Sequence, residues 1–194
     1  MLSMQVFHAW EICHMCLACC MCARNKSGGG LVVALYRGFD FPIEEGVHQN
    51  FFIDQPRKPK DVDSGVHEYA DKWFFEKINV YARSSTIICS TDMGQALEYT
   101  GYSGILTRII PLGEAVFIYS KMVRDFVDVN YDLDCFCPQS VSDWLESKSY
   151  CAVHDVSLID SDFQGEVMVF CREFSVVRCN GESDLHPRSP VGVI

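Results

Sequence analysis

Three apolar runs dominate the hydrophobic pattern of the chain, and each has polar residues at one end. The runs cover residues 31–36, 86–89 and 165–171, and their continuity predicts buried strands. The polar residues form three segments: Tyr36-Arg37-Gly38 ends the first run, Ser90-Thr91-Asp92 ends the second, and Gln164-Gly165-Glu166 opens the third. The third run alternates only weakly, which is typical of a strand that is buried on both faces.

The rest of the pattern predicts several helices and further strands. Helices are expected over residues 4–23, 64–76, 122–129 and 141–145, with Ser64 as an N-cap, and Asp92 is expected to cap a short helix. Trp73, Phe74 and Phe75 are expected in the core. Further strands are predicted over residues 105–111, 115–119, 152–157 and 174–179, with a Pro-Leu-Gly-Glu turn between the first two. Three prolines and many polar residues predict a long loop over residues 40–64.

This order predicts an α+β class, in which helices come early and strands dominate late. Residues 1–30 are expected to form a Cys-rich helix followed by a glycine linker, and residues 31–180 are expected to form the main domain. Residues 181–194 are expected to be a flexible tail, because they contain glycine and proline and lie at the terminus.

Composition narrows the classes of function. The 194 residues carry a formal net charge of −10, which argues against tight non-specific binding to a phosphate backbone. Eleven cysteines are an odd number, so free thiols in a reducing compartment are expected rather than a disulfide scaffold. The start lacks the pattern of a secretory signal, and no run reaches about 18 apolar residues. The sequence therefore predicts a soluble, cytoplasmic protein without membrane contact.

The three polar segments supply groups that cleavage of the nicotinamide–ribose bond of NAD requires. A guanidinium such as Arg37 can hold a diphosphate through its planar fork. Small hydroxyl side chains, here Ser90 and Thr91, can fix the glutamate and the ribose. The Glu166 carboxylate can stabilise a ribose cation similar to that of glycoside hydrolysis. On an extended backbone Gln164 points to the same face as Glu166.

The same segments resemble the three motifs of the Arg–Ser–Glu branch of the ADP-ribosyltransferase superfamily, over roughly residues 31–178. The resemblance implies a split, mostly antiparallel sheet. The helix expected within residues 1–30 is an addition that the resemblance does not cover. The resemblance also implies transfer of ADP-ribose from NAD to a host protein or a nucleic acid, as in small phage and bacterial effectors. The residue roles that it implies are cofactor binding by Tyr36, Arg37, Gly38, Ser90 and Thr91, catalysis by Glu166 with Gln164 and Ser90, and acceptor contact by Phe163 and Gln164.

Two residues depart from the pattern of that branch. Asp92 stands where a second serine is usual, which would add negative charge near an anionic cofactor. Gln164 replaces the first glutamate of members that modify arginine, so the resemblance points to another side chain, an amide or a nucleobase as acceptor.

Several alternatives remain beside this hypothesis. Cys13, Cys16 and Cys20 share a helix face and could bind metal. Structural zinc sites usually take paired ligands from two separate elements, and no Cys-x-x-Cys occurs outside residues 13–22, so plain thiols are favoured and no metal is predicted. The basic run Arg57-Lys58-Pro59-Lys60 is expected in a solvated loop, although it could approach the NAD phosphates. Arg83 is a second candidate for the clamp. The same fold could also serve a catalytically silent protein that binds and inhibits a host or defence protein, or an NAD hydrolase.

Overall fold

The computed structural model describes residues 33–179, which form a six-stranded antiparallel sheet with helices packed against it. The predicted helix over residues 4–23, the glycine linker and the tail lie outside the described residues. The strands are β1 (Leu35–Phe39), β2 (Gly46–Gln49), β3 (Ile87–Ser90), β4 (Ile105–Tyr119), β5 (Cys151–Val153) and β6 (Glu166–Arg178). The helices are α1 (Ser64–Ile78), α2 (Ala82–Ser85), α3 (Met93–Glu98), α4 (Val129–Asp132) and α5 (Pro138–Ser147).

The sheet closes on itself. Its strand order is β2-β6-β3-β1-β4-β5, and β6 also pairs with β4, so that β1, β3, β6 and β4 form a small barrel-like ring. Every pairing in residues 33–179 is antiparallel. Mixed helix and antiparallel sheet is compatible with the predicted α+β class.

The two longest strands were each predicted as two. Residues 105–119 form a single strand, so the predicted turn is wrong: the ladder to β6 continues past a bulge between Leu112 and Ala115. Gly113 has a positive φ of 71°, which lets the strand bend there without reversing. Likewise β6 passes through the exposed pair Arg172 and Glu173 without interruption, because its backbone remains paired with β4 and β2.

The first strand is shifted from its predicted position. It begins at Leu35 rather than at residue 31, so Tyr36, Arg37 and Gly38 lie within the strand rather than at its end. The predicted loop also contains β2 and a 3-10 helix, Phe51–Ile53. Strand β2 is short and mostly exposed, and it is held by its pairing with β6, which is a long-range contact that local pattern does not reveal.

The two faces of β6 pack in different clusters, as the weak alternation predicted. Val167 and Val169 belong to the cluster inside the ring, whereas Met168 packs with α1 and α5. Each of these three side chains is at most 1 % exposed. Glu166 precedes Met168 by two residues and therefore faces the helices.

Helices α1, α3 and α5 agree in position with the predictions, with differences at their ends, whereas α2 was not predicted. Asp63, not Ser64, caps α1, because its carboxylate accepts from the backbone N–H of Gly65 and Val66. Phe74 is fully buried as expected, but Phe75 is 40 % exposed and stacks on Tyr81. The predicted helix over residues 122–129 is replaced by the 3-10 helix Phe126–Asp128 and α4, and the strand over 152–157 by the shorter β5 and the 3-10 helix Val156–Leu158. None of the helices within residues 33–179 is long and apolar enough to cross a membrane.

Candidate active site

The three polar segments meet at one edge of the ring. Ser90 at the end of β3 pairs with Tyr36 of β1 on one side and with Glu166 of β6 on the other. Together with Arg37 and Gly38, these three residues line a cavity of about 310 Å³. The sheet register thus brings five of the predicted site residues to one cavity.

The Glu166 carboxylate lies at the inner wall of this cavity and forms an ion pair with Arg83. Arg83 Nη1 donates to Glu166 Oε1 at 2.5 Å, and the two side chains are only 9 % and 11 % exposed. Burial raises the pKa of Glu166 above its ordinary value, and the Arg83 charge acts in the opposite direction. Arg83, the second candidate for the arginine that holds the diphosphate, is therefore a direct partner of the predicted catalytic carboxylate.

Two further guanidinium groups lie in the same cavity. Arg37 Nη1 donates to the Ile88 carbonyl at 2.6 Å, and its guanidinium lies 4.8 Å from the centre of the Phe39 ring. Arg57 donates to the Thr86 carbonyl at 2.5 Å. Burial lowers the pKa of Arg37, and it lowers that of Arg57 to about 9, with repulsion from the other two arginines adding to the effect.

The cavity therefore holds an excess of buried positive charge. Among the described residues no carboxylate lies within ion-pair distance of Arg37 or Arg57, and the Nε atoms of all three arginines are buried without a hydrogen-bond partner. At the rim, Lys60 and Asp40 neutralise each other at 3.0 Å. Burying cations without counter-ions is costly, so the interior is suited to an anionic ligand.

Ser90 and Thr91 act as braces for the backbone before Glu166. Ser90 Oγ lies 2.7 Å from Gln95 Oε1 and 3.2 Å from the Gly165 carbonyl. Thr91 Oγ1 donates to the Phe163 carbonyl at 2.7 Å and accepts from the Gly165 N–H at 3.0 Å. Ser90 lines the cavity, whereas Thr91 is not among the residues that line it. Their contacts fix the segment that leads into β6.

The residues predicted to meet an acceptor lie outside the cavity. Phe163 is 8 % exposed and packs in the core against Tyr119, so its ring does not present a surface for recognition. Gln164 is exposed, but it precedes β6, and its Nε2 donates to the carbonyl of Phe163 at 3.2 Å. Gln164 was expected to share a strand face with Glu166, but β6 begins at Glu166 and the chain bends at Gly165, so the two residues do not lie on one strand.

Asp92 does not add charge to the cavity. Its Oδ1 caps α3 by accepting from the N–H of Gly94 and Gln95, as predicted, and its Oδ2 pairs with Arg124 at 2.8 Å. The departure from the resembled motif thus serves local structure rather than the site.

Polar groups on α1, α3 and the segment before the 3-10 helix Phe126–Asp128 complete the lining. Asp125 accepts from Gln95 Nε2 at 3.0 Å and from the Tyr99 hydroxyl. His67 is buried, its Nε2 lies 3.6 Å from Asp71 Oδ2, and burial lowers its pKa. A smaller aromatic cavity adjoins the first and shares Arg37, Phe39, Phe41 and Phe52 with it.

The sequence-based prediction gave too little weight to Arg57 and did not include Asp125 or His67 among the site residues. The loop signal around Arg57 was correct, but a loop can still fold over a cavity. Arg57 is fixed there by its backbone bond to the Ser84 carbonyl and by the Phe52 ring, 4.2 Å from its guanidinium. No local pattern distinguishes such an arginine from a solvated one.

The described residues contain no group of three or more His, Cys, Asp or Glu side chains arranged to hold a metal ion. Cys13, Cys16 and Cys20 lie outside residues 33–179.

Comparisons with known proteins give no independent assignment. No protein-family model matches the chain, and neither a curated protein nor a solved structure matches it.

Proposed function

We propose that this chain transfers ADP-ribose from NAD to a macromolecular acceptor with release of nicotinamide, and that its sheet is the split ADP-ribosyltransferase type. The observation that carries the proposal is one cavity in which a buried carboxylate, Glu166, lies among the guanidinium groups of Arg37, Arg57 and Arg83. NAD presents a diphosphate and a bond whose cleavage leaves a ribose cation, and these two features call for cations and a carboxylate side by side.

The cavity residues fit the parts of NAD. Arg37 and Arg57 would hold the diphosphate, because they are the two arginines of the cavity lining that have no carboxylate partner among the described residues. The adjoining aromatic cavity suits a planar base, since Phe41 and Phe51 are about half exposed there. A volume of about 310 Å³ is at the lower end for small-molecule sites, so the two cavities together would accommodate a dinucleotide.

Glu166 would act on the ribose. The bond from ribose C1′ to the nicotinamide nitrogen breaks, its electron pair leaves with nicotinamide, and the positive charge that develops on the ribose is stabilised by the carboxylate. The acceptor nucleophile then bonds to C1′ and loses its proton. Burial of the carboxylate strengthens its interaction with that cation, because little water is present to screen it.

The acceptor is proposed to be a host protein or a nucleic acid, with an attacking group other than arginine. The resemblance of Gln164-Gly165-Glu166 supports this choice, and Gln164 is exposed where a macromolecule can contact it. Phe163 is left out of the proposal because its ring is buried. A role as a phage or bacterial effector rests on the resemblance alone.

Nicotinamide release from NAD by the purified protein tests the proposal. We expect release above the uncatalysed rate, label from adenine-labelled NAD in macromolecules of a lysate, and a higher melting temperature in millimolar NAD. Release without macromolecular label would indicate a hydrolase. If the protein shows neither nicotinamide release nor thermal stabilisation by NAD, the NAD site is refuted and the silent binding protein is favoured.

Arg37→Lys is expected to weaken binding of ADP-ribose by about 10- to 100-fold, because lysine keeps the charge but loses the planar fork that meets two phosphate oxygens. Isothermal titration calorimetry would measure the change. Lys60→Met is a matched control, since it removes a cation from the rim that is already neutralised by Asp40. Equal losses in both variants would contradict a specific role for Arg37.

A further inference from the structure

The group that holds the Glu166 carboxylate differs from the one that the motif suggested. Small hydroxyl residues were expected to fix the glutamate, but the hydrogen bonds of Ser90 Oγ are with Gln95, Gly165 and the Asp92 N–H. Those of Thr91 Oγ1 are with the backbone of residues 163 and 165. Neither hydroxyl has a bond to the Glu166 carboxylate.

Arg83, rather than a hydroxyl residue, binds the Glu166 carboxylate. Its Nη1 lies 2.5 Å from Glu166 Oε1 and 3.4 Å from Met168 Sδ, so it meets two residues on the face of β6 that is turned to the helices. Both partners of the ion pair are nine-tenths buried. A charge-assisted hydrogen bond in such a setting fixes the direction of a carboxylate as well as its charge.

Arg83 is itself held by Asp71 and by Phe126. The Asp71 carboxylate of α1 accepts from the backbone N–H of Arg83 at 2.6 Å and from that of Ser84 at 3.2 Å, which anchors the start of α2. The Arg83 guanidinium lies over the Phe126 ring at 4.0 Å. A side chain that is fixed in this way offers Glu166 one geometry, which is what a preorganised site requires.

The surroundings of Glu166 disfavour its negative charge, and Arg83 is the group that offsets this effect most directly. Burial disfavours the ionised form of Glu166, and Asp125 disfavours it further, whereas Arg83 supports it through charge and hydrogen bond and Arg57 supports it through charge alone. The other titratable groups that interact with Glu166 are Arg37 on β1, Cys89 on β3, Tyr99 after α3 and Tyr150 before β5. Among all of these, only Arg83 has a hydrogen bond to the carboxylate.

We propose that Arg83 is a positioning residue for the reaction, which aims the Glu166 carboxylate at the ribose and keeps it ionised, while Ser90 and Thr91 only brace the backbone. This inference rests on the proposed function for its consequence in catalysis. The ion pair itself can be tested without activity.

The test compares Arg83→Met, Arg83→Lys and Ser90→Ala with the unchanged protein. For Arg83→Met we expect kcat for nicotinamide release to fall at least tenfold more at pH 6 than at pH 8, because loss of the cation favours the protonated glutamate. The KM for NAD should change less than about threefold, because Arg37 and Arg57 remain. Arg83→Lys should restore much of the pH profile but less of kcat, because lysine supplies charge without the fork.

Carbon-13 NMR of carboxyl-labelled glutamate provides the readout that needs no activity, with the Glu166 signal assigned through Glu166→Gln. The titration of Glu166 should move to higher pH in Arg83→Met and stay in place in Ser90→Ala. An unmoved titration in Arg83→Met, or a shift in Ser90→Ala, would overturn the inference. If the unchanged protein releases no nicotinamide, the proposed function fails, whereas the NMR titration still decides whether Arg83 holds Glu166.

Discussion

Glu166→Gln is expected to reduce nicotinamide release by about 100- to 1,000-fold, the usual effect of removing one preorganised group that stabilises charge in a transition state. The reason is that glutamine keeps the size and one oxygen of the side chain but cannot supply negative charge to the ribose cation. Because Arg37 and Arg57 remain, binding of ADP-ribose should change little. The split between a large loss in kcat and a small change in Kd is the signature to measure.

The same substitution leaves Arg83 buried beside a neutral amide. Breaking a buried ion pair costs up to about 3–5 kcal/mol, although the amide oxygen can still accept a hydrogen bond and reduces the loss. Circular dichroism and urea unfolding must therefore show a folded variant before its kinetics are interpreted. Glu173→Gln is a suitable control, because it removes one charge from the exposed part of the same strand, where Glu173 bonds with Gln49.

Release within about threefold of the unchanged protein in a folded Glu166→Gln variant would rule out the proposed role of this carboxylate. A parallel loss in Glu173→Gln would point to a general effect of charge on β6 rather than to the cavity.

Local sequence signals predicted the elements that local interactions form. The Asp92 cap of α3 was predicted from the side chain at the start of a short helical pattern, and its two hydrogen bonds to backbone N–H groups are present. Strand β3 and helix α1 were predicted to within two residues at each end, because each has a strong apolar pattern bounded by polar residues. The convergence of Arg37, Ser90 and Glu166 followed from the order of three strands that pair side by side.

What the sequence left open depends on partners far along the chain. Arg83 and Glu166 are 83 residues apart, and nothing near Arg83 in sequence identifies it as the partner of a carboxylate. The continuity of β4 was hidden by Pro111 and Gly113, which are turn residues in most contexts but here lie in a bulged strand paired with β6. Sheet pairing decides such cases, and it is not a local property.

The net charge of the chain also misrepresents the site. A formal charge of −10 suggests a protein that repels anions, yet the cavity lining includes Arg37, Arg57 and Arg83 together. Field lines are concentrated in a cavity with low-dielectric walls, so the local cluster determines what binds there. Overall charge remains a sound argument against binding along an extended phosphate backbone.

Gly38→Ala is expected to cost at least about 2–4 kcal/mol in the free energy of unfolding, since overpacking of a core contact is destabilising. A Cβ at this position would lie 2.2 Å from the carbonyl oxygen of Ala96 and 2.8 Å from the N–H nitrogen of Thr100. Both atoms belong to backbone at α3 and its C-terminal end, so no side chain can rotate to relieve the clash. The glycine is thus explained by the approach of α3 to β1, rather than by an approach of the cofactor.

Gly113→Ala is the matched control for this prediction. No heavy atom lies within 4 Å of a Cβ built at Gly113, but its φ of 71° imposes a backbone cost of about 1–2 kcal/mol on alanine. Urea unfolding should therefore give a clearly lower midpoint for Gly38→Ala than for Gly113→Ala. A midpoint for Gly38→Ala equal to or above that of the control would show that α3 can move away from β1 at little cost. In that case Gln95 and Tyr99, which α3 and its C-cap bring to the cavity, would not be rigidly positioned.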